Sequence, residues 1–338
     1  MQDKVAIVVT SISRPNQVLA AIAQGAAEQG YDFFIVGDTG SPAGFSLPGC
    51  QYFDVAEQVQ SGLAFAAVCP TRHYSRKNIG YLLAMRNGAT VIVETDDDNM
   101  PRPGFFAPRQ RCRTVQCLTA GKWVNVYRYF CDALIWPRGL PLTAVNNPLP
   151  AFSSLPSISL DCPIQQGLAD ENPDVDAIYR LLLPLPQSFS KAGSVALGPA
   201  SWCPFNSQNT TWWLNAFPLL YLPSCCSFRM TDIWRSFVAQ RIAWENDWHI
   251  LFHEATVWQD RNEHDLMKDF AEEVPGYMHN DLIAKTLAGL SIQRGCEHIF
   301  DNMRICYEAL VAIKVIDPQE LGLLEAWLAD LKTMGWSQ

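Results

Sequence analysis

The chain has 338 residues, 49% of them hydrophobic and 11% aromatic, enough apolar side chains to bury a large core and too many for a disordered chain. Its 34 acidic and 25 basic residues give a formal net charge of -9, which excludes a broad nucleic-acid-binding surface; a bound phosphate must meet a local cluster of basic groups or a metal ion. The 11 cysteines, odd in number and without a C-x-x-C pair, fit neither a zinc ribbon nor a disulfide framework and read as buried free thiols in a reducing compartment.

The first hundred residues alternate strand and helix. Residues 4–12 are a β-branched strand, 15–29 an Ala-rich helix ending at Gly30, and 32–36 a second strand stopping at Gly37-Asp38-Thr39-Gly40. A short apolar run at 64–68 reads as a third strand, 75–86 as a helix closed by Asn87-Gly88, and 89–95 as a fourth strand. This series predicts a doubly wound, mostly parallel α/β sheet, in which ligands collect at the carboxyl ends of the strands. From 101 to about 223 the chain is rich in Pro, Asn, Ser and Trp and reads as functional loops laid over the scaffold. Helix returns at 231–245, and almost everything after Pro275 is helical, with a helix start at Asp317-Pro318-Gln319-Glu320. The opening apolar run is too short for a signal peptide, and the best membrane candidate, 214–228, is broken by Pro218 and Pro223. The expectation is a soluble cytoplasmic chain with no integral membrane segment, the alternative being a lumenal domain of a longer protein; Asn209-Thr210-Thr211 fits the N-glycosylation pattern.

The stretch VIVETDDDNMP (91–101) places Asp96, Asp97 and Asp98 directly after a buried strand. Such triplets are commonly solvated turns. At the end of a central strand, however, they are suited to a divalent cation, since hard cations take oxygen ligands and share a substrate's phosphates. Arg76 and Lys77, in the first turn of the preceding helix, offer positive charge where backbone N–H groups also favour an anion. The ends of the other strands, Thr10-Ser11 and Asp38, are polar as well. Neither a P-loop nor a dinucleotide fingerprint is present.

The block RKNIGYLLAMRNGATVIVETDDDN (76–99) resembles the glycosyltransferase-like domain of the STELLO proteins, the DUF288 family. So do IWPRGLPL (135–142), IQQGLADENPDVDAIYR (164–180), PFNSQNT (204–210), MTDIWRSFVAQRIAWE (230–245) and the helical tail ending EAWLADL, in the same order. DDDN, PRGLPL, PDVDA and RMTDIW also resemble, more faintly, motifs of the reversibly glycosylated polypeptides, the UDP-arabinopyranose mutases. The resemblance implies a GT-A fold, a mixed, mostly parallel sheet with helices on both faces, divided into a catalytic domain (1–270) and a C-terminal helical extension (271–338). It also implies a DxD-type site for a nucleotide-sugar, with Asp96 and Asp98 on Mn2+ or Mg2+, Asp97 beside them, and Thr10, Ser11 and Asp38 on the nucleoside. Arg76 would meet the diphosphate, Arg138 would join the donor-binding set, and Asp174 and Asp176 would serve the sugar or the reaction. Asp232, at a helix start where capping alone would explain it, would be the acceptor-side base. His264 would be a late metal ligand, although STELLO sequences carry a histidine nearer the position of Trp258. Trp202, Trp212, Trp213 and Trp234 suit either stacking on a ligand or core packing. The implied activity is sugar transfer to a glycan or other hydroxyl acceptor. A nucleotide-sugar mutase and a scaffold of a polysaccharide-synthesis complex are the alternatives.

Overall fold

The computed structural model describes residues 3–189, 193–259 and 265–336. Strand β1 (Val5–Thr10) sends Ala6 and Val8 into one apolar cluster and Ile7 and Val9 into another on the opposite face, as a strand covered on both sides must. Helix α1 (Gln17–Gln29) starts on the side chain of Asn16, which accepts from Leu19 N at 2.8 Å, and stops at Gly30, whose φ of +69° is the left-handed conformation that ends a helix. Strand β2 (Asp32–Val36) pairs parallel with β1, and the three-residue β3 (Gln51–Phe53) pairs parallel with β2.

Helices α2 (Val55–Gln60) and α3 (Ala64–Val68) follow. The segment 64–68 is thus a helix and not the expected strand. Its sequence, AFAAV, is rich in the best helix former, and its first N–H groups, on Ala64 and Phe65, donate to the carboxylate of Asp330 at 2.8 Å each, a partner 265 residues away that local pattern cannot reveal. Helix α4 (Lys77–Arg86) leads into β4 (Val91–Thr95), buried throughout and parallel to β1. Gly80 lets this helix lie close to the sheet: a Cβ there would stand 2.6 Å from Val8 Cγ1 and 2.8 Å from Val36 Cγ2.

The stretch expected to be loops supplies the second half of the sheet. After β5 (Asn99–Pro101), which ends where that stretch begins, it contains β6 (Cys112–Leu118), β7 (Ser157–Asp161), β8 (Ile164–Asp170), α5 (Ala177–Leu182), β9 (Ser194–Leu197) and β10 (Asn209–Trp213). These strands are short, and β8 and β10 are buried at every position, so no period-2 alternation marks them. After α6 (Thr231–Trp244) comes the ten-residue β11 (Ile250–Gln259). The 11-stranded sheet has the order β3-β2-β1-β4-β10-β8-β11-β9-β6-β7, with β5 pairing to β11. Strands β3, β2, β1 and β4 are parallel, whereas β10 runs antiparallel to both β4 and β8. A parallel half with an antiparallel strand beside its last member makes this the mixed sheet of a GT-A arrangement, with the acidic turn directly after β4.

Helices α7 (Leu266–Ala288), α8 (Ile299–Ala312) and α9 (Glu320–Thr333) close the chain. The boundary expected after residue 270 falls inside α7. One apolar cluster runs from Val8 and Ile79 through Phe237 to Leu310 and Leu328. No helix among the described residues is long and apolar enough to cross a membrane. All 11 cysteines are free, most of them buried, with Cys112 and Cys296 exposed.

Candidate functional site

A cleft of about 840 Å³ opens at the carboxyl ends of β1, β2 and β4. Thr10, Ser11, Asp38, Arg76, Asp96, Asp97, Asp98, Arg138, Asp174 and Asp232 all line it, although they span more than two hundred positions of sequence.

The three aspartates form the turn between β4 and β5, and that turn is held from several sides. Asn16 Nδ2 donates to Asp97 O at 2.9 Å, Asn99 Nδ2 to Gln208 O at 3.1 Å, and Gln259 Nε2 to Asp98 Oδ2 at 2.9 Å. Ser11 Oγ donates to Asp97 Oδ2. Burial raises the Asp97 carboxyl above its ordinary pKa, against the hydrogen bonds from Ser11 and Ser13. Asp96 faces a buried cation: Lys77 Nζ lies 2.9 Å from Asp96 Oδ1 and also donates to Thr95 O at 2.7 Å, Tyr74 Oη at 2.8 Å and Ser207 O at 3.2 Å. Tyr74 Oη donates to the same Asp96 oxygen at 2.7 Å and lies 2.6 Å from Ser207 Oγ. Burial, then the charge of Asp96, pushes the Tyr74 phenol far above its usual range, so it stays protonated and donating.

Ser207 connects this acidic turn to the second group of charges. Its backbone N and its Oγ donate to Asp232 Oδ2 at 3.2 and 3.1 Å. Arg138 bridges Asp232 to Asp174: Nε and Nη2 meet the two Asp174 oxygens at 2.8 Å each, and Nη2 lies 3.1 Å from both Asp232 oxygens. Burial alone would raise the Asp174 carboxyl, but the charge and hydrogen bonds of Arg138, helped by Arg229 and Asn206, hold it well below the usual carboxylate range. Arg138 is aimed by Gly139, whose φ is +88° and whose absent Cβ would sit 2.4 Å from Ile233 Cγ2. Asp96, Tyr74, Ser207, Asp232, Arg138 and Asp174 thus form one continuous polar network across the cleft.

Other expected residues stand differently. Asp176 is fully buried away from the cleft and caps α5, accepting from Tyr179 N at 2.8 Å and from Trp136 Nε1 at 2.7 Å. Burial pushes its carboxyl up to about 6, assisted by Glu273 and Asp174. Arg76 is 1% exposed, and its guanidinium is held by Gln58 Oε1 and the carbonyls of Cys69 and Pro70. Asp38 accepts from Thr39 N at 2.6 Å and from His73 N at 3.1 Å. Thr10 Oγ1 is buried with no hydrogen-bond partner. The four tryptophans considered for stacking are all core residues, none more than 6% exposed, and Trp212 Nε1 donates to buried Glu94. His264 lies outside the described residues. Sequence reasoning missed Tyr74, Ser207, Arg229, Phe228 and Gln259 as lining residues; Ser207 and Arg229 carried a signal, since they sit inside the PFNSQNT and RMTDIW motifs, and Tyr74 lies two residues before the block that starts at Arg76.

Among the described residues no group of three His, Cys, Asp or Glu side chains converges into a cage for a metal ion. A magnesium-type ion does not require one. Such ions are commonly held by one or two carboxylates together with substrate phosphates, and Asp96 and Asp98 are oxygen donors of that kind on one turn of the cleft.

The sheet order is that of a mixed α/β fold with its cleft at the carboxyl ends of the parallel strands. Residues 229–338 match the family model described as STELLO glycosyltransferases. The chain is 26% identical over 360 residues to "Probable glycosyltransferase STELLO1" and 24% identical over 367 residues to "Probable glycosyltransferase STELLO2", both of Arabidopsis thaliana. Each alignment takes in 98% of this chain and 45% of the relative, so the chain spans about half the length of the curated relatives it matches. A solved structure of M. tuberculosis glucosyl-3-phosphoglycerate synthase aligns with 86% of this chain and 82% of its own, at 10% identity and a TM-score of 0.41.

Proposed function

We propose that the chain is a glycosyltransferase that binds a nucleoside-diphosphate sugar, a UDP- or GDP-sugar, in this cleft and transfers the sugar to a hydroxyl acceptor. The observation that carries the reading is the single network joining the acidic turn after β4 to the Asp174–Arg138–Asp232 cluster. One end suits a diphosphate, the other the hydroxyl groups of a sugar. Thr10 and Ser11 border the nucleoside side. Asp96 and Asp98 would hold Mn2+ or Mg2+, which when bound supplies charge neutralisation for the departing diphosphate.

On the acceptor side Asp232 is the base. It takes the proton of the acceptor hydroxyl while that oxygen bonds to the anomeric carbon; the bond from the anomeric carbon to the diphosphate oxygen breaks, and the nucleoside diphosphate leaves with the electron pair. Ser207 and Arg138 orient the carboxylate. Asp174, whose Oδ1 takes one bond from Arg138 while Oδ2 takes Arg138 and Asn206, keeps acceptor capacity for a sugar hydroxyl and, paired with the guanidinium, does not deliver a proton. A mutase is the second reading, because Arg138 and Asp174 meet inside the cleft as the PRGLPL and PDVDA motifs suggested.

Product analysis after incubation with candidate donors tests the proposal. Released nucleoside diphosphate, with the sugar on acceptor or water, supports transfer, whereas an isomerised nucleotide-sugar without release supports the mutase. Asp232→Asn is expected to lower kcat by roughly 10²–10⁴-fold, the usual contribution of a general base, with donor binding unchanged. Undiminished turnover would remove Asp232 from that role.

A further inference from the structure

The acidic cleft poses an electrostatic problem. Asp38, Asp96, Asp97, Asp98, Asp174 and Asp232 line it, and a diphosphate must enter among them. The basic residues on its wall are Arg72, Arg76, Arg138 and Arg229. Arg76 is wrapped by Gln58 and two carbonyls, Arg138 by Asp174 and Asp232, and Arg229 pairs with buried Glu273 at 2.8 Å. Lys77, behind the turn, is taken up by Asp96 and its neighbours. Arg72 alone among the described cleft arginines forms no hydrogen bond or ion pair.

Its placement is built. Arg72 has φ +56°, a left-handed conformation that a non-glycine residue adopts only where its surroundings impose it. Asp38 supplies the constraint: its two oxygens accept from Thr39 N and from His73 N, tying the loop that carries Arg72 to the end of β2. The adjoining His73 is fixed from the other side, Ser75 N donating to its Nδ1 at 3.1 Å and Ser75 Oγ lying 2.8 Å away.

From this geometry we infer that Arg72 is the side chain that binds the diphosphate of the donor, and that Asp38 is its positioning residue instead of a nucleoside ligand. The inference rests on the glycosyltransferase reading and moves the anion site from the helix start at Arg76 to the strained loop before it. An exposed, uncommitted guanidinium is the group able to meet a phosphate pair bidentately.

Calorimetric titration of UDP and GDP, with uridine and guanosine as controls, tests it on the wild type, Arg72→Gln and Arg72→Lys, all with Mn2+ present. The wild type is expected to bind one diphosphate. Arg72→Gln is expected to weaken that binding at least tenfold while shifting the matching nucleoside less than twofold, and Arg72→Lys to recover part of the loss. The unliganded melting midpoint of each variant controls for folding. Wild-type affinity of Arg72→Gln for the diphosphate would overturn the inference and leave the glycosyltransferase reading standing. A wild type that binds no nucleotide would overturn both.

Discussion

Lys77 shows how a charge can be necessary to a site and yet unavailable to its ligand. Its ammonium is fully buried and surrounded by oxygens of Tyr74, Thr95, Asp96 and Ser207, so it relieves the repulsion among the three aspartates and fixes the turn that carries them. The sequence suggested a positive charge near the triplet, and the residue was legible. Its partner was not, because side-chain direction at a helix start cannot be read from spacing. The PDVD motif divides in the same way: Asp174 turns to Arg138 in the cleft, and Asp176 caps a helix out of reach of it. Asp176 has a measurable signature. Its carboxyl is raised from 3.8 to about 6 in the folded state, so the fold binds that proton more tightly than the unfolded chain does. The resulting stability is fully present below pH 3.8 and is lost as pH rises through about 6, amounting to roughly 3 kcal/mol at 1.36 kcal/mol per unit. Asp174 works in the opposite sense, its contribution fading as pH falls. Asp176→Asn, which retains the cap oxygen, is expected to remove the downward component between pH 4 and 6 from the stability profile measured by urea unfolding. A profile identical to that of the wild type would contradict the assignment.

At the scale of elements, the fold depends on how α6 is seated on β4. Asp232 reaches the cleft from the first turn of α6, and one turn later Arg235 enters the core to meet Glu94 of β4, with Nη2 to Oε1 at 2.8 Å and both side chains at 1% exposure or less. Trp212 and Tyr81 also donate to Glu94, and the Arg235 guanidinium lies 5.0 Å from the Trp212 ring centre. This pair locks the helix carrying Asp232 to the strand that leads into the acidic turn. Arg235→Met is expected to cost about 3–5 kcal/mol, because Glu94 would be left buried without its ion-pair partner, and the double variant Glu94→Gln/Arg235→Met to recover most of that loss. Chemical denaturation checks both; equal destabilisation by the single and double variants would deny the coupling. The first three elements of the chain were readable because their caps and periodicity are local, as at Asn16 and Gly30, whereas the three-residue β3 was not. Strands β8, β9 and β10 were not, being short and buried at every position, and the 64–68 segment reads as a strand in sequence because the cap of α3 comes from Asp330.

The molecule as a whole is closed by its C-terminal helices. Asp330 caps α3, Glu320 accepts from Ser224 N at 2.9 Å and Cys225 N at 2.6 Å, and Trp327 Nε1 donates to Pro218 O at 3.1 Å. Helix α9 therefore braces the segment leading into α6, and α7 holds the cleft wall through Glu273 and Arg229. Their apolar stripes were legible as helices in the sequence, and their role as caps for distant elements was not. The central claim is that the acidic turn and the arginine-lined wall bind one nucleoside-diphosphate sugar around a divalent cation. Thermal unfolding with a panel of UDP- and GDP-sugars, with Mn2+ or with a chelator, measures it directly. One donor at about one hundred times its Kd is expected to raise Tm by roughly 5 °C only when the metal is present, and Asp98→Asn is expected to abolish that metal-dependent part. A panel in which no donor shifts Tm, or a shift equally large in chelator and in Asp98→Asn, would contradict the account.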